Sequence, residues 1–309
     1  MKVFRDSDKF DYDNRSVVTV GTFDGVHLGH KKIIEKLNDI KKSKKLRSVI
    51  VTFDPHPQIV LKNKTKDIKI LTTTDEKLKL FESFEIDIIY IINFTKEFAK
   101  ISSEEFYKTY LIDKIGMSEL VLGYDHKFGK DREGNITTLR NLSDKYNFNF
   151  HGVGEFKINN EKVNSTAIRN TITESNLEKA FLFLGRSYSM AGQVIGGDKR
   201  GKSLGYPTAN IKPLSDNKLI PNTGVYLVSI ELKDSLYYGM MNIGFRPTIS
   251  DSNEKILEVN IFNFDEDIYD EIININFIEK IRDEKKFDSI NELKKQLLAD
   301  KEYSINKIN

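Results

Sequence analysis

The 309-residue sequence predicts two domains of different class, an open parallel α/β sheet followed by a small antiparallel β-barrel. Two changes of pattern predict it. Up to about Gly185, strand-like and helix-like runs alternate, which implies crossover connections over a parallel sheet. From Tyr188 onward, short β-rich segments follow one another with Gly, Pro and Asn between them, as in a closed antiparallel barrel. The boundary is therefore placed at 185, giving domains 1–185 and 186–309.

In the first domain Ser16–Val20 is a β-branched run that leads into a glycine-rich turn and a helical pattern from His30 to about Lys42. Arg47–Phe53 is a second strand, and Ile86–Ile92 is apolar throughout, as a strand buried on both faces would be. Asp75–Phe84 reads as a helix between them. Ser102 and Glu105 form a capping box ahead of a helix to Lys114, and Glu119–Leu122 and Phe148–Val153 complete the strands. Asn176–Leu184 is the last helix, with Gly185 as its stop and Ala180, Phe181, Leu182 and Leu184 expected to be buried. The barrel strands are Tyr188–Ile195, Gly224–Leu232, Leu236–Gly244, Ile256–Phe262 and Ile272–Phe277. A closing helix starts at Ser289, capped with Glu292.

Composition bounds the function. With 39% hydrophobic and 30% charged residues the chain is an ordinary globular one. A net charge of only +2 provides no field for nucleic acid or an anionic membrane. The lack of cysteine removes disulfides, thiolate zinc sites and cysteine nucleophiles together, and suits a reducing cytoplasm. The polar N-terminus has no apolar signal core, and no run approaches a membrane span. No nucleic-acid or membrane partner is expected; a homo-oligomer is left open.

The first candidate site is the segment 21–30, GTFDGVHLGH, which follows a strand and opens a helix. Such a turn sits at the carboxyl edge of the sheet, where open α/β folds bind ligands. Its glycines allow close approach of phosphate, and the helix start aims N–H groups at negative charge. His27 and His30, three apart, can both donate to one phosphate. The spacing fits neither a dinucleotide fingerprint nor HExxH zinc binding.

This segment resembles the HxGH signature of the nucleotidyltransferase superfamily, and Asn164-Ser165-Thr166-Ala167-Ile168-Arg169 resembles its second motif. Val51–Pro57 (VTFDPHP) and Leu122–Gly129 (LGYDHKFG) narrow the match, being similar to stretches of bacterial bifunctional riboflavin kinase/FAD synthetases. The resemblance implies a Rossmann-like nucleotidyltransferase domain in which His27, His30 and Arg169 are catalytic. Gly21, Phe23, Asp24, Gly29, Ser165 and Thr166 would then bind ATP phosphates, and Pro55, His56, Pro57 and Asp125 the flavin. Asn164 and His126 depart from residues common in that family.

The second candidate site begins at Gly196–Ser203 (GGDKRGKS), which satisfies the Walker A expression. A P-loop requires a helix next, and Gly205 and Pro207 would break it, so the P-loop fold is rejected. GDKRGKSLGYPTANI, PNTGVY, NIGFRPT and LEVN instead resemble the riboflavin kinase family, in order, which implies a six-stranded barrel. By that resemblance Gly197, Lys199, Gly201, Lys202, Gly205 and Pro207 bind ATP, while Thr208 and Asn210 hold Mg²⁺ through the hard oxygens it prefers. Glu258 is the candidate general base. In Ile256–Phe262, Leu257, Val259 and Ile261 form one face and Glu258, Asn260 and Phe262 the other, and the carboxylate is expected to face inward.

The implied activity is phosphorylation of riboflavin to FMN and adenylylation of FMN to FAD, with ATP as co-substrate of both. Two rivals remain. One is a nucleotidyltransferase for another phosphorylated acceptor with an accessory barrel. The other is a nucleic-acid-binding barrel, against which the acidic stretches 265–267 and 270–271 count.

Overall fold

Six strands build the first sheet: β1 (Lys2–Arg5), β2 (Ser16–Val20), β3 (Arg47–Asp54), β4 (Ile88–Asn93), β5 (Met117–Gly123) and β6 (Asn149–Val153). In this computed structural model they are all parallel, in the order β1-β4-β3-β2-β5-β6. The structure describes every residue except 62–67, 125–135, 197–204, 246–254 and 309, and of residue 136 only the backbone. The chain divides into two compact units, Met1–Ser165 and Thr166–Asn309.

The strand order explains why the central strands are apolar on both faces. Val17, Ile50, Ile89 and Val121 pack with Ile34, Leu37 and Ile40 of α1 (Leu28–Lys44) on one side. Val18, Val49, Ile88 and Leu120 pack with Phe106, Leu111 and Ile115 on the other. The sequence expectation missed several elements of this unit, among them the short antiparallel pair β7 (Lys157–Ile158) and β8 (Glu161–Lys162). Strand β1 is short and largely exposed, pairing with β4 at the sheet edge, and α5 (Ile136–Tyr146) lies ahead of β6.

Helix caps follow local chemistry. The short α2 (Pro57–Val60) is capped by His56. At α3 (Thr74–Phe81), Thr73 and Glu76 form a reciprocal capping box. Ser102 accepts from Glu105 N–H at 3.1 Å to start α4 (Ser103–Phe106), which runs on as a π-helix over Tyr107–Ile115. Gly116 ends it at φ 85°, where a Cβ would lie 2.3 Å from the Asp13 carbonyl oxygen.

In the second unit β9 (Tyr188–Ile195), β10 (Ala209–Pro213), β11 (Gly224–Leu232), β12 (Ser235–Phe245), β13 (Lys255–Ile261) and β14 (Ile272–Arg282) close a barrel in the order β10-β13-β12-β11-β14-β9. Every pairing is antiparallel. Strand β10 was not expected, because its five residues contain a lysine and end in proline. The interior is filled by Met190, Tyr226, Val228, Met241, Val259, Ile275 and Phe277, all buried. Outside, Val225, Met240 and Phe262 pack with Leu297 of α8 (Ile290–Ile308).

This assignment reverses one expectation. Glu258 pairs across the strands with Asn242, which pairs in turn with Val225 on the outer, helix-covered face. Leu257, Val259 and Ile261 therefore point inward and Glu258 outward. The period-two pattern was right, but a barrel strand under a helix is apolar on both sides, so hydrophobicity alone does not say which face is inside.

Helix α7 (Leu177–Leu184) packs on β9 and β14 within the second unit. Its buried residues are Leu177, Ala180, Phe183 and Leu184, whereas Phe181 and Leu182 are exposed. Tyr226 Oη, buried in the barrel, donates to the Asn222 carbonyl at 2.6 Å and pairs with Ser175 Oγ at 2.8 Å. Burial of each large apolar side chain is worth about 1.5–3 kcal/mol, so α7 is a large part of a domain's marginal stability. A chain of residues 166–309 is expected to melt cooperatively by circular dichroism. One of residues 186–309 should melt well below it or be unfolded; equal melting temperatures would show that α7 contributes nothing.

Candidate active sites

Strands β3 and β4 lie on one side of β2, and β5 on the other, so the chain reverses direction across the sheet next to β2. Ligands of open α/β sheets bind at the carboxyl ends of strands beside such a switch point. The turn 21–27 leaves β2 there, with Leu122 and Gly123 at the end of β5 and Asp54 at the end of β3. The turn is tightly wound, with Phe23 at φ 48°, Gly25 at 86° and Val26 at 39°. A β-branched residue in the left-handed region is strained and persists only where its surroundings hold it. Here Phe23 and Val26 are both buried, and the Phe23 ring meets Phe81 and His30 with centroids 5.7 and 5.1 Å away.

Two buried groups fix the turn from below. The Asp24 carboxylate accepts from the N–H groups of Leu71 at 2.9 and 3.1 Å and of Thr72 at 3.0 Å. The Lys77 ammonium, on α3, donates to the Thr22 carbonyl at 3.0 Å and to Thr52 Oγ1 at 3.2 Å. Burial pushes Lys77 down to about 8 even though Asp24 and Asp54 pull it upward. Sequence reading passed over Lys77; its spacing of four from the core residue Phe81 was the available signal.

His27 is the N-cap of α1, its Nδ1 accepting from the His30 N–H at 3.3 Å. Neutral His27 therefore carries its proton on Nε2. The two imidazoles stack with centroids 3.6 Å apart and planes 16° from parallel. Burial, then the charge of His27, then that of Lys77 hold His30 well below the usual histidine range. His30 Nδ1 is buried without a hydrogen-bond partner, and such orphan atoms call for an explanation such as a ligand. Gly29 lets the segment before Asn164 approach: a Cβ there would lie 3.2 Å from the His27 ring and 3.3 Å from the Val163 carbonyl oxygen. Gly21 is similarly confined, its Cβ position being 3.1 Å from the Phe23 ring.

Ser165 Oγ donates to the Asp24 carbonyl at 2.9 Å, tying the second motif to the turn. Thr166 and Arg169 follow on α6 (Ser165–Thr173), in the second unit. His56 Nδ1 accepts from Gln58 N–H at 3.2 Å, between Pro55 and Pro57. Asp125 lies outside the described residues, as do Gly197, Lys199, Gly201 and Lys202.

On the barrel, register assembles the second site. Asn210 of β10 is opposite Glu258 of β13, and Glu258 is opposite Asn242 of β12, so three half-buried polar side chains form one row on the outer face. Thr208, two residues before Asn210, is exposed at the head of β10. The buried Asn260 amide donates to the Pro207 carbonyl at 2.7 Å, fastening the segment before β10 to β13. Gly205 adopts φ 84°, a backbone that glycine accepts without strain. Asn242 and Asn260 were legible in the sequence only as members of longer motifs.

A histidine turn at the switch point of a parallel sheet, and a barrel carrying a carboxylate in a polar row, define a two-module transferase acting on nucleotides. Residues 9–167 match the FAD synthetase family and residues 184–308 the riboflavin kinase family. Among curated relatives, the bifunctional riboflavin kinase/FMN adenylyltransferase of Buchnera aphidicola (Schizaphis graminum) is 40% identical over 93% of this chain and 92% of its own. Those of Bacillus subtilis and Escherichia coli are 34% and 32% identical over 94% and 92% of this chain, and over 92% and 90% of their own. A Streptococcus pneumoniae crystal structure described as a macrolide-efflux protein superposes with a TM-score of 0.89 at 31% identity, covering 98% of this chain and 99% of that one. Among the described residues, no helix is long and apolar enough to cross a membrane. The chain belongs to the bifunctional riboflavin kinase/FMN adenylyltransferase family.

Proposed function

We propose that the barrel phosphorylates riboflavin to FMN and that the parallel-sheet unit adenylylates FMN to FAD, each with ATP. The observation that carries the first half is the row Asn210–Glu258–Asn242, set by strand register on one face. Glu258 takes the proton of the riboflavin 5′-hydroxyl as its oxygen attacks the γ-phosphorus and ADP leaves. Asn242 flanks the carboxylate, and Asn260 keeps Pro207–Asn210 in place.

Mg²⁺ suits the donor set, because Thr208 and Asn210 offer hard oxygens beside Glu258. Among the described residues no cluster of three His, Cys, Asp or Glu side chains forms a cage; Mg²⁺ ordinarily takes few protein ligands and shares substrate phosphates. Thr208 and Asn210 would hold it, and it would neutralise charge on the transferring phosphates. Gly197, Lys199, Gly201, Lys202, Gly205 and Pro207 are proposed to cover the ATP phosphates.

In the first unit an FMN phosphate oxygen attacks the α-phosphorus of ATP, the bond to the β-phosphate bridge breaks, and pyrophosphate leaves. The nucleophile is already anionic, so the protein's contribution is position and charge. His27 and His30 donate to the reacting phosphate, with the N–H groups of Gly29 and its neighbours at the helix start. Gly21 and Phe23 shape the turn, and Asp24 acts by fixing it. Ser165, Thr166 and Arg169 are assigned to the β- and γ-phosphates, and Pro55, His56, Pro57 and Asp125 to the flavin. The domains are assigned as 1–185 and 186–309 by the chemistry of their motifs, the second histidine-turn motif running to Arg169, although residues 166–185 cluster with the barrel; the reactants are small molecules and the setting is the cytoplasm.

Purified protein with riboflavin, ATP and Mg²⁺ should yield FMN and then FAD on separation of the flavins. FAD from FMN with no FMN from riboflavin would instead make the barrel an accessory. No product from either flavin would point to a different acceptor.

A further inference from the structure

We propose that Lys77 is a positioning residue of the adenylylation step, its ammonium holding the histidine turn in its strained form. The inference rests on assigning FMN adenylylation to the first unit. Lys77 is 3% exposed, which is rare for lysine and costly without partners. Its two partners bridge the ends of adjacent strands: the Thr22 carbonyl, just after β2, and Thr52 Oγ1, near the end of β3. Thr52 Oγ1 also donates to the same Thr22 carbonyl at 3.3 Å. The peptide so anchored immediately precedes Phe23, where the backbone turns left-handed.

The electrostatic consequence follows from the same placement. The groups acting on Lys77 are the Asp24 and Asp54 carboxylates, and those acting on His30 are His27 and Lys77. Burial first, then the charge of His27, and last the Lys77 ammonium oppose protonation of His30. His30 then meets phosphate as a neutral hydrogen-bond donor in a fixed orientation. Lysine is charged below its pKa, so its charge-assisted hydrogen bonds to Thr22 and Thr52 hold the turn at neutral pH and weaken as pH rises through about 8, where His30 is neutral with or without them. FMN phosphate completes its ionisation near pH 6, so it does not titrate in that window.

The test is the pH profile of FAD formation from FMN between pH 6.5 and about 9.5, with riboflavin phosphorylation by the same protein as internal control. Wild-type FAD formation should fall above about pH 8 while FMN formation does not fall with it. Lys77→Met should reduce the turnover for FAD by about tenfold or more at pH 7 and flatten this alkaline limb. Thr52→Val keeps the shape of the side chain but removes an acceptor of the ammonium, so the limb should move to lower pH. A limb that survives Lys77→Met, or one that Thr52→Val leaves in place, overturns the proposal even if overall rates fall. If Lys77→Met does not fold, Thr52→Val decides alone. A wild-type protein that makes no FAD at any pH overturns the adenylylation reading itself.

Discussion

Glu258→Gln is expected to lose riboflavin phosphorylation by roughly a hundredfold or more, the usual contribution of a general base, while conversion of FMN to FAD is unchanged. Glutamine preserves the length and polarity of the side chain in the row with Asn210 and Asn242 but cannot accept the hydroxyl proton. The residue is half-buried on the outer face of β13, and its removal leaves no cavity in the barrel interior. Surface changes of this kind usually alter stability by only about 0.5 kcal/mol, so the melting temperature should hold. A role in holding Mg²⁺ makes a different prediction, because excess Mg²⁺ would then restore the rate. Unchanged FMN formation by the variant removes Glu258 from the chemistry; rescue by Mg²⁺ reassigns it.

The reactive turn was legible because strand, glycines and histidines are contiguous. Ser16–Val20 makes a buried strand, and the ten residues after it contain both imidazoles and the helix start that cap and stack against one another. The second site was legible only as motifs. Its parts lie on three different strands, and register alone brings Asn210, Glu258 and Asn242 together. The inward orientation expected for Glu258 failed for a physical reason: α8 covers the outer face, so Met240 and Phe262 are as buried as Val259 and Ile261. Strand β10 escaped because strand propensity is weak over five residues ending in proline. Lys77 escaped because a lysine in an amphipathic helix usually belongs to the solvent face. Only three-dimensional packing shows that its ammonium ends between Thr22 and Thr52.

Replacing both His27 and His30 by alanine is expected to stop FAD formation while FMN accumulates from riboflavin. Loss of one preorganised donor to a transition-state charge typically costs 10²–10³-fold, about 2.7–4 kcal/mol. Removing both should therefore take adenylylation below detection. The reaction on the barrel involves neither side chain. One structural effect must be separated from this chemistry. His27 caps α1 by accepting the His30 N–H, and loss of a cap costs about 1 kcal/mol. His27→Ser supplies a hydroxyl that can restore the cap but is too short to replace the imidazole. If phosphate contact is what matters, His27→Ser recovers melting temperature without recovering FAD formation. If the cap is what matters, both return together. His30→Ala adds a check through pH. Because burial keeps His30 neutral in the folded protein, its native pKa is below the unfolded value of 6.5. Its contribution to stability is present above that pH and is lost as pH falls, since the unfolded chain then binds the proton first. His30→Ala should be less sensitive to acid than wild type between pH 7 and 5, whatever its activity. Identical acid sensitivity would mean that His30 is not held neutral, and with it would fall its role as an uncharged donor to the reacting phosphate.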